Sequence, residues 1–420
     1  MNAFPSVRPK DAVLSTQALP SAPWPYFAPD EIAAAVRVLE SGKVNYWTGD
    51  EGRHFEREFA KFVGCQYGVA VANGTVALEL ALRALGIEPG DEVITASRTF
   101  IASASCAVAI RATPVCADVD RNSGNITADT IRAVCTPATK AIIAVHLAGW
   151  PCEMDPILAL ARERGLKVVE DCAQAHGATY KGQRIGSLGD AAAFSFCQDK
   201  IMTTAGEGGM VTTNAYDLWQ RMWSYKDHGK NYEKVYSPRH SPGFRWVHDS
   251  FGTNWRLSEV QSAVGRLALN KLPEWIATRR RHAAKLTEHF SKIRGLRVPV
   301  VPEHVGHSFY KYYVYVSSEE LALGWDRDRI SQTITSHGVP CATGICSEVY
   351  LENAFRHLWR SRSQCAVARE LGETSLMFLV HPTLTDAHMD RTCEVVEQVL
   401  WQATRAHSKA AVAGFVFNKI

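Results

Sequence analysis

Lys200 sits where a solvated charge is least expected. Apolar residues run up to Ser195 in Phe194-Ser195-Phe196-Cys197-Gln198-Asp199-Lys200, and Ile201-Met202-Thr203-Thr204-Ala205-Gly206-Glu207-Gly208-Gly209-Met210 follows. A lone lysine is ordinarily a surface charge. One held at the mouth of apolar strands, beside a hydroxyl and a glycine-rich turn, is open to desolvation, which favours the neutral, nucleophilic amine. Such amines form Schiff bases with carbonyl compounds, pyridoxal phosphate among them. A second candidate, Asp171, ends the run Leu166-Lys167-Val168-Val169-Glu170-Asp171. A strand-end Asp is usually a cap or turn residue, yet Cys172-Ala173-Gln174-Ala175-His176-Gly177 does not read as a capped helix. A buried carboxylate needs a cationic partner, and a pyridinium nitrogen is one. The third is Asn73-Gly74-Thr75, between an apolar strand and a helix start, where backbone N–H groups and the helix dipole converge on an anion such as phosphate. Each has an ordinary explanation alone. Jointly they match an aldehyde, a ring nitrogen and a phosphate.

These positions need a scaffold that gathers strand ends. Pro29 opens an amphipathic run to Leu39, with acids in its first turn, and Ser41-Gly42 stops it. The loop Lys43 to Gly49 is aromatic, suited to packing or to substrate contact. A helix over 54–62 places Phe55, Phe59 and Phe62 on one face. Strands over 67–72, 92–96, 114–119, 139–146 and 166–171 then alternate with helices over 76–85, 102–110 and 156–164. That alternation predicts a mostly parallel sheet covered on both faces, with ligands beyond the carboxyl ends of its strands. A helix over 217–225 follows, and then a long segment, 230–253, without evident secondary structure but with Arg239, His240, Arg245, Trp246 and His248; its content leans towards binding. One helix is expected to end near Leu269 and another to run from Leu272 to Ile293, its Arg279-Arg280-Arg281-His282 being a solvated face. Aromatic alternation over 310–316 predicts a strand, and the remainder reads as a smaller α+β domain. The expected organisation is an N-terminal arm, 1–22, a large domain, 23–265, and a small C-terminal domain, 266–420, whose apolar end from Ala410 to Ile420 has no evident role.

The chain has 420 residues, 46% hydrophobic and 21% charged, which fits a globular protein with a large core. Net charge is +3, giving no footprint for nucleic acid. No apolar run reaches the ~18 residues that span a membrane. The first ten residues lack an apolar signal core, so export is not expected. Eleven cysteines are scattered without C-x-x-C spacing, which argues against a zinc or disulfide framework and suits reduced cytoplasmic thiols.

In combination, Asn73-Gly74-Thr75-Val76-Ala77-Leu78, Glu170-Asp171-Cys172-Ala173-Gln174-Ala175-His176-Gly177-Ala178, Gly186-Ser187-Leu188-Gly189-Asp190, Lys200 with Gly206-Glu207-Gly208-Gly209, and Gly252-Thr253-Asn254-Trp255-Arg256-Leu257-Ser258-Glu259 resemble the DegT/DnrJ/EryC1/StrS sugar aminotransferases. The resemblance runs from about Tyr26 to about Trp401. It implies an α/β fold of the pyridoxal-phosphate type I class: a large domain with a mostly parallel, seven-stranded sheet under helices, and a smaller α+β domain. Lys200 would hold pyridoxal 5'-phosphate as an internal aldimine and shuttle protons, and Asp171 would pair with the ring nitrogen. Gln174 would lie near the ring hydroxyl, and Phe100 would stack on the ring. Gly74, Thr75 and Ser195 would hold the phosphate. Asn254 matches a residue that reaches the neighbouring subunit's cofactor, implying a homodimer. His228, Arg239, Arg245 and His381 would line the sugar pocket. The implied reaction moves an amino group, from glutamate, to a keto group on a nucleotide-linked deoxy sugar. Amination of a keto-cyclitol or another antibiotic-pathway ketone is an alternative, and a non-catalytic regulator on the same fold is another. Against the regulator stand intact Lys200, Asp171 and Ser195; against the dehydrating branch, which carries histidine for the lysine, stands Lys200. The chain departs from relatives at Asn73, at Gln198-Asp199, and over 341–350, where Cys341-Ala342-Thr343-Gly344-Ile345-Cys346 replaces a His- and Pro-rich loop and leaves the sugar open.

Overall fold

The computed structural model describes residues 22–237, 243–358 and 365–405, together with Leu19. Helices α1 (Pro29–Ser41) and α2 (Glu51–Val63) lead into the alternation β1 (Tyr67–Val71), α3 (Gly74–Ala84), β2 (Glu92–Ala96), α4 (Ala102–Ala109), β3 (Thr113–Ala117), α5 (Ala128–Val134), β4 (Thr139–Val145), α6 (Met154–Arg164) and β5 (Lys167–Asp171). The short β6 (Thr179–Tyr180) and β7 (Gln183–Arg184) precede β8 (Ala191–Ser195) and β9 (Gly209–Thr213), and α7 (Tyr216–Lys226), α8 (Tyr232–Tyr236) and the long α9 (Glu259–Phe290) follow. Beyond them lie β10 (Leu296–Arg297), β11 (Val305–Gly306), β12 (Tyr312–Val316), α10 (Arg327–Ser336), β13 (Cys341–Ala342), α11 (Ala366–Thr374), β14 (Ser375–Phe378) and α12 (Asp386–Thr404).

Seven strands form the main sheet in the order β1-β9-β8-β5-β4-β2-β3. The pairs β2–β3, β2–β4, β4–β5 and β5–β8 are parallel, while β9 runs antiparallel to both β8 and β1. Every residue of β2, β8 and β9 is buried, as strands covered on both faces must be. Glycine lets layers touch at one decisive place: a Cβ on Gly209 would stand 2.4 Å from the Asn73 carbonyl oxygen. A second, four-stranded antiparallel sheet, β10-β12-β14-β13, belongs to the C-terminal half.

Two hydrophobic cores result, and α9 contributes to both. Leu269, Leu272 and Ile276 pack into the large one, and Ala283, Leu286 and Phe290 into the small one. The two helices expected here are one, continuous through Pro273. Proline removes one intrahelical hydrogen bond, and anchorage of both halves offsets that loss. The expected solvated face is also corrected. Arg279 and His282 are buried, because Arg279 Nη1 donates to the Tyr310 carbonyl at 3.2 Å and His282 Nδ1 meets the Val380 carbonyl at 3.2 Å. Only Arg280 and Arg281 of that run face water. Segment 230–253 is not wholly irregular either, since it holds α8 and an isolated bridge between Lys230 and His248.

Candidate active site

Neighbouring parallel strands β5 and β8 close on Asp171 and Ser195. Beside them β1 turns into α3 through Asn73, whose backbone is extended and whose Oδ1 accepts the Val76 amide at 3.0 Å. That cap leaves the amides of Gly74 and Thr75, at the helix start, without intrahelical partners. A Cβ on Gly74 would come within 2.6 Å of Ser195 Cβ, so glycine is what brings the helix start against β8. Ser195 Oγ accepts the Cys197 amide at 3.3 Å, which leaves its own proton to donate.

These groups open on a cavity of about 830 Å³ lined by Gly74, Thr75, Phe100, Asp171, Gln174, Ser195 and Lys200 among others. Asp171 is 5% exposed. Its Oδ2 accepts Ser103 Oγ at 2.7 Å and its Oδ1 the Ala173 amide at 3.1 Å. Burial raises its pKa above the ordinary carboxylate value, and the Ser103 and Ala173 hydrogen bonds only partly oppose this. Among the described residues no cationic side chain lies within ion-pair distance of it. Lys200 has a side chain 17% exposed, with Nζ 3.6 Å from Asp199 Oδ1 and 5.0 Å from the centre of the Tyr310 ring. Its carbonyl accepts Trp24 Nε1 at 2.8 Å, which fixes the backbone from behind. Burial opposes the charge on Asp199, but Lys200, the hydroxyl donated by Tyr310, and Lys311 outweigh it and hold its pKa low. Gln174 Oε1 accepts the Ala148 amide at 2.9 Å. Phe100 stands 59% exposed on the cavity wall, an apolar face ready for a planar ligand.

Beneath Asp171 lies a structural node. His146 Nδ1 accepts the Cys152 amide at 2.9 Å, which assigns the ring proton to Nε2, 3.1 Å from Glu170 Oε2. Glu170 also accepts the amides of Gly186, Leu188 and Gly189 at 2.8–2.9 Å. Burial works against its charge, but His146 and these amides keep its pKa low. His146, Glu170 and Cys172 lie within 4.8 Å of one another, but these hydrogen bonds already engage the histidine and the carboxylate.

Other expected residues lie elsewhere. His228 is exposed, in the left-handed region at φ 60°, and its amide donates to the Thr253 carbonyl. Arg245 caps the carbonyls of Lys234 and Val235. His381 is buried on Trp24, Nδ1 meets Thr383 Oγ1 at 2.9 Å, and burial, then the nearby Arg279 charge, pushes its pKa down to about 3. None of the three lines the cavity within one chain. Arg239 lies outside the described residues. Asn254 is exposed, on a segment tied to the end of β1 by Ala72 N to Trp255 O at 2.9 Å. Reasoning from sequence missed Ser103, Asp199, Tyr310, Lys311 and Tyr313, all of them on the cavity wall. The alternation at 310–316 was a usable signal for the last two, which are two residues apart on one face of the chain. Gly344 and Ile345, from the segment that departs from relatives, also reach the wall.

The residues present fit pyridoxal phosphate. Gly74 marks a cradle that a Cβ would fill, Asp171 is a buried carboxylate lacking a cation, and Lys200 brings an amine to the same space.

Comparison with known proteins agrees. The model of the DegT/DnrJ/EryC1/StrS aminotransferase family matches residues 25–397. GDP-perosamine synthase of Caulobacter vibrioides is 37% identical over 84% of this chain and 92% of its own. A dTDP-3-amino-3,6-dideoxy-alpha-D-galactopyranose transaminase of Aneurinibacillus thermoaerophilus is 35% identical over 86% and 93%. Among solved structures, an aminotransferase from Psychrobacter cryohalolentis is 53% identical, with a TM-score of 0.90 over 92% of this chain and 100% of that one.

Proposed function

The chain belongs to the DegT/DnrJ/EryC1/StrS aminotransferase family, and we propose that this pyridoxal-phosphate-dependent aminotransferase moves the amino group of glutamate to a keto group on a nucleotide-linked deoxy sugar. The observation that carries this is the convergence of Lys200, Asp171, Ser195 and the Gly74-Thr75 helix start on one cavity. The sugar acceptor is supported by the nucleotide-sugar relatives.

When bound, pyridoxal phosphate supplies an electron sink through its protonated ring nitrogen. Asp171 would keep the proton on that nitrogen, and the amides of Gly74 and Thr75 with Ser195 Oγ would hold the phosphate. Phe100 would cover the ring, and Gln174, fixed through Oε1, would lie on its hydroxyl side. Lys200 Nζ anchors the cofactor, then takes the proton from the donor carbon and returns one to the acceptor carbon. Asp199, held ionised by Lys200 and Tyr310, keeps that amine positioned between turnovers.

The working unit is a homodimer in the cytoplasm. Support for the dimer comes from exposed Asn254 and from Phe244, Trp246 and Phe251, which are 79%, 80% and 98% exposed on the same segment. Support for the compartment comes from eleven free thiols.

Purified protein is expected to carry the yellow absorbance of the cofactor and to lose it when glutamate is added. Lys200→Ala is expected to abolish ketone amination, with a fall of at least about a thousandfold, because both anchor and proton carrier are gone. Amination at the wild-type rate in that variant would sink the mechanism.

A further inference from the structure

The cavity wall at the start of β12 carries a lysine that has no ion-pair partner among the described residues. Lys311 lines the cavity at the start of β12. Among the described residues no carboxylate lies within ion-pair distance of its ammonium, which sits 4.8 Å from the centre of the Tyr310 ring. Two residues on, Tyr313 lines the same cavity, its hydroxyl accepting the Ile345 amide at 3.1 Å. Behind that ring, 5.4 Å from its centre, lies the guanidinium of Arg98. Arg98 is fully buried, and none of its three nitrogens has a hydrogen-bond partner. Near Tyr310 lies Arg279, buried, donating to the carbonyls of Phe309 and Tyr310 and lying 5.1 Å from the centre of the Trp24 ring.

The acidic groups of the cavity do not answer this charge. Asp171 is bonded to Ser103 and Ala173. Asp199 feels the Lys311 charge, but its contacts are with Lys200 and Tyr310. Glu207 faces Cys197 Sγ at 3.7 Å. Buried cations without partners are costly, and an anion delivered by a ligand offsets that cost. The wall also holds Gly344 and Ile345, from the segment that leaves the sugar open, which supports assigning it to the substrate.

We propose that Lys311 reads a carboxylate on the substrate, its ammonium binding that group at a wall backed by Arg98. The proposal rests on the aminotransferase reading and narrows its substrate class. Two molecules could bring the carboxylate: the amino-acid donor, through its side-chain acid, or a sugar acceptor that is a uronic acid. Lys311 would then decide which substrates enter, while Lys200 performs the chemistry on all of them.

The test is calorimetric titration of the cofactor-loaded full chain with two pairs of unreactive probes. Glutarate and its monoamide differ by one donor-like carboxylate, and UDP-glucuronate and UDP-glucose differ by one sugar carboxylate. Wild type is expected to prefer the charged member of at least one pair by about tenfold or more, the worth of a charge-assisted hydrogen bond. Lys311→Met is expected to erase that preference while binding the uncharged member as before, and Lys311→Arg to retain it. The pair that shows the effect names the source. If wild type shows no preference in either pair, or if Lys311→Met keeps it, the proposal is overturned. None of these probes can be aminated, so failure here is distinct from failure of the aminotransferase reading, which the loss of absorbance with glutamate tests separately.

Discussion

Asp171 is bonded to a hydroxyl and an amide, and among the described residues no cationic side chain lies within ion-pair distance of it, so its charge in the cofactor-free protein is held at a cost. Its pKa is raised above the ordinary 3.8, burial being the main cause. Between 3.8 and that raised value the folded chain binds more protons than the unfolded one, so stability falls as pH rises through this window, and the full penalty remains at neutral pH. Asp171→Asn removes the charge and keeps the shape. Its amide oxygen still accepts from Ala173, and its NH₂ can donate to Ser103, because the Ser103–Thr99 hydroxyl pair, 2.8 Å apart, can reverse direction. Cofactor-free Asp171→Asn is therefore expected to melt at a higher temperature than cofactor-free wild type at pH 7, with the gap closing below pH 3.8. The same variant is expected to bind pyridoxal phosphate at least about tenfold more weakly, since a charge-assisted bond is lost. A lower melting temperature at pH 7 would refute the account. Lysine at a strand mouth and aspartate at a strand end were legible because both types are rare there. Ser103 and Arg98 were not, because a serine in a small-residue helix, or an arginine beside a hydroxyl, carries no local sign of what it faces.

At the scale of elements, α3 falls close to where the sequence places a helix, over 76–85. Asn73 caps it, Gly74 starts it, and its first amides point past Ser195. Gly74→Ala puts a methyl 2.6 Å from Ser195 Cβ, below any contact that can be held, so the helix start must retreat from β8. Overpacking of this kind costs about 1–3 kcal/mol, and the displaced amides lose the phosphate geometry. The variant is expected to fold and to lose cofactor on dialysis that wild type retains, read as at least about a tenfold rise in dissociation constant. Retention equal to wild type would show that the cradle lies elsewhere. This strand–turn–helix was readable because every determinant is within a few residues. Helix α9 was not: proline and the Arg279–His282 run are local signals of a break and a wet face, and both are overruled by distant partners, Trp24, Tyr310 and Val380. The parallel sheet was readable as a pattern of alternation. Which face of β12 meets the cavity depends on how the second sheet docks, and no spacing encodes that.

For the whole molecule, we propose the division into an arm, 1–22, a cofactor-binding domain, 23–265, and a smaller domain, 266–420; a separate C-terminal core supports it, although α9 and residues such as Tyr310, Val349 and Leu371 join the large core across the boundary. A larger question is whether one chain makes a complete site. Asn254 is exposed, yet its segment is held firmly: Trp255 N donates to the Lys226 carbonyl at 3.0 Å, and Arg256 Nη1 meets Asp227 Oδ1 at 2.7 Å. An exposed polar side chain on a fixed mount, next to three exposed aromatics, suits a surface that a second copy covers. If Asn254 serves the partner's cofactor, two inactive variants should repair each other. Lys200→Ala chains lack the amine but keep Asn254; Asn254→Ala chains, expected to lose about tenfold in cofactor affinity, keep the amine. In a mixed dimer one site then has Lys200 from one chain and Asn254 from the other, while its twin lacks both. Random reassortment of equal amounts makes half the dimers mixed, so about a quarter of all sites are intact by symmetry. Assayed at limiting cofactor, the mixture should regain about that share of wild-type turnover. Turnover no greater than the sum of the two variants kept apart would mean that Asn254 acts within its own chain, or not at all.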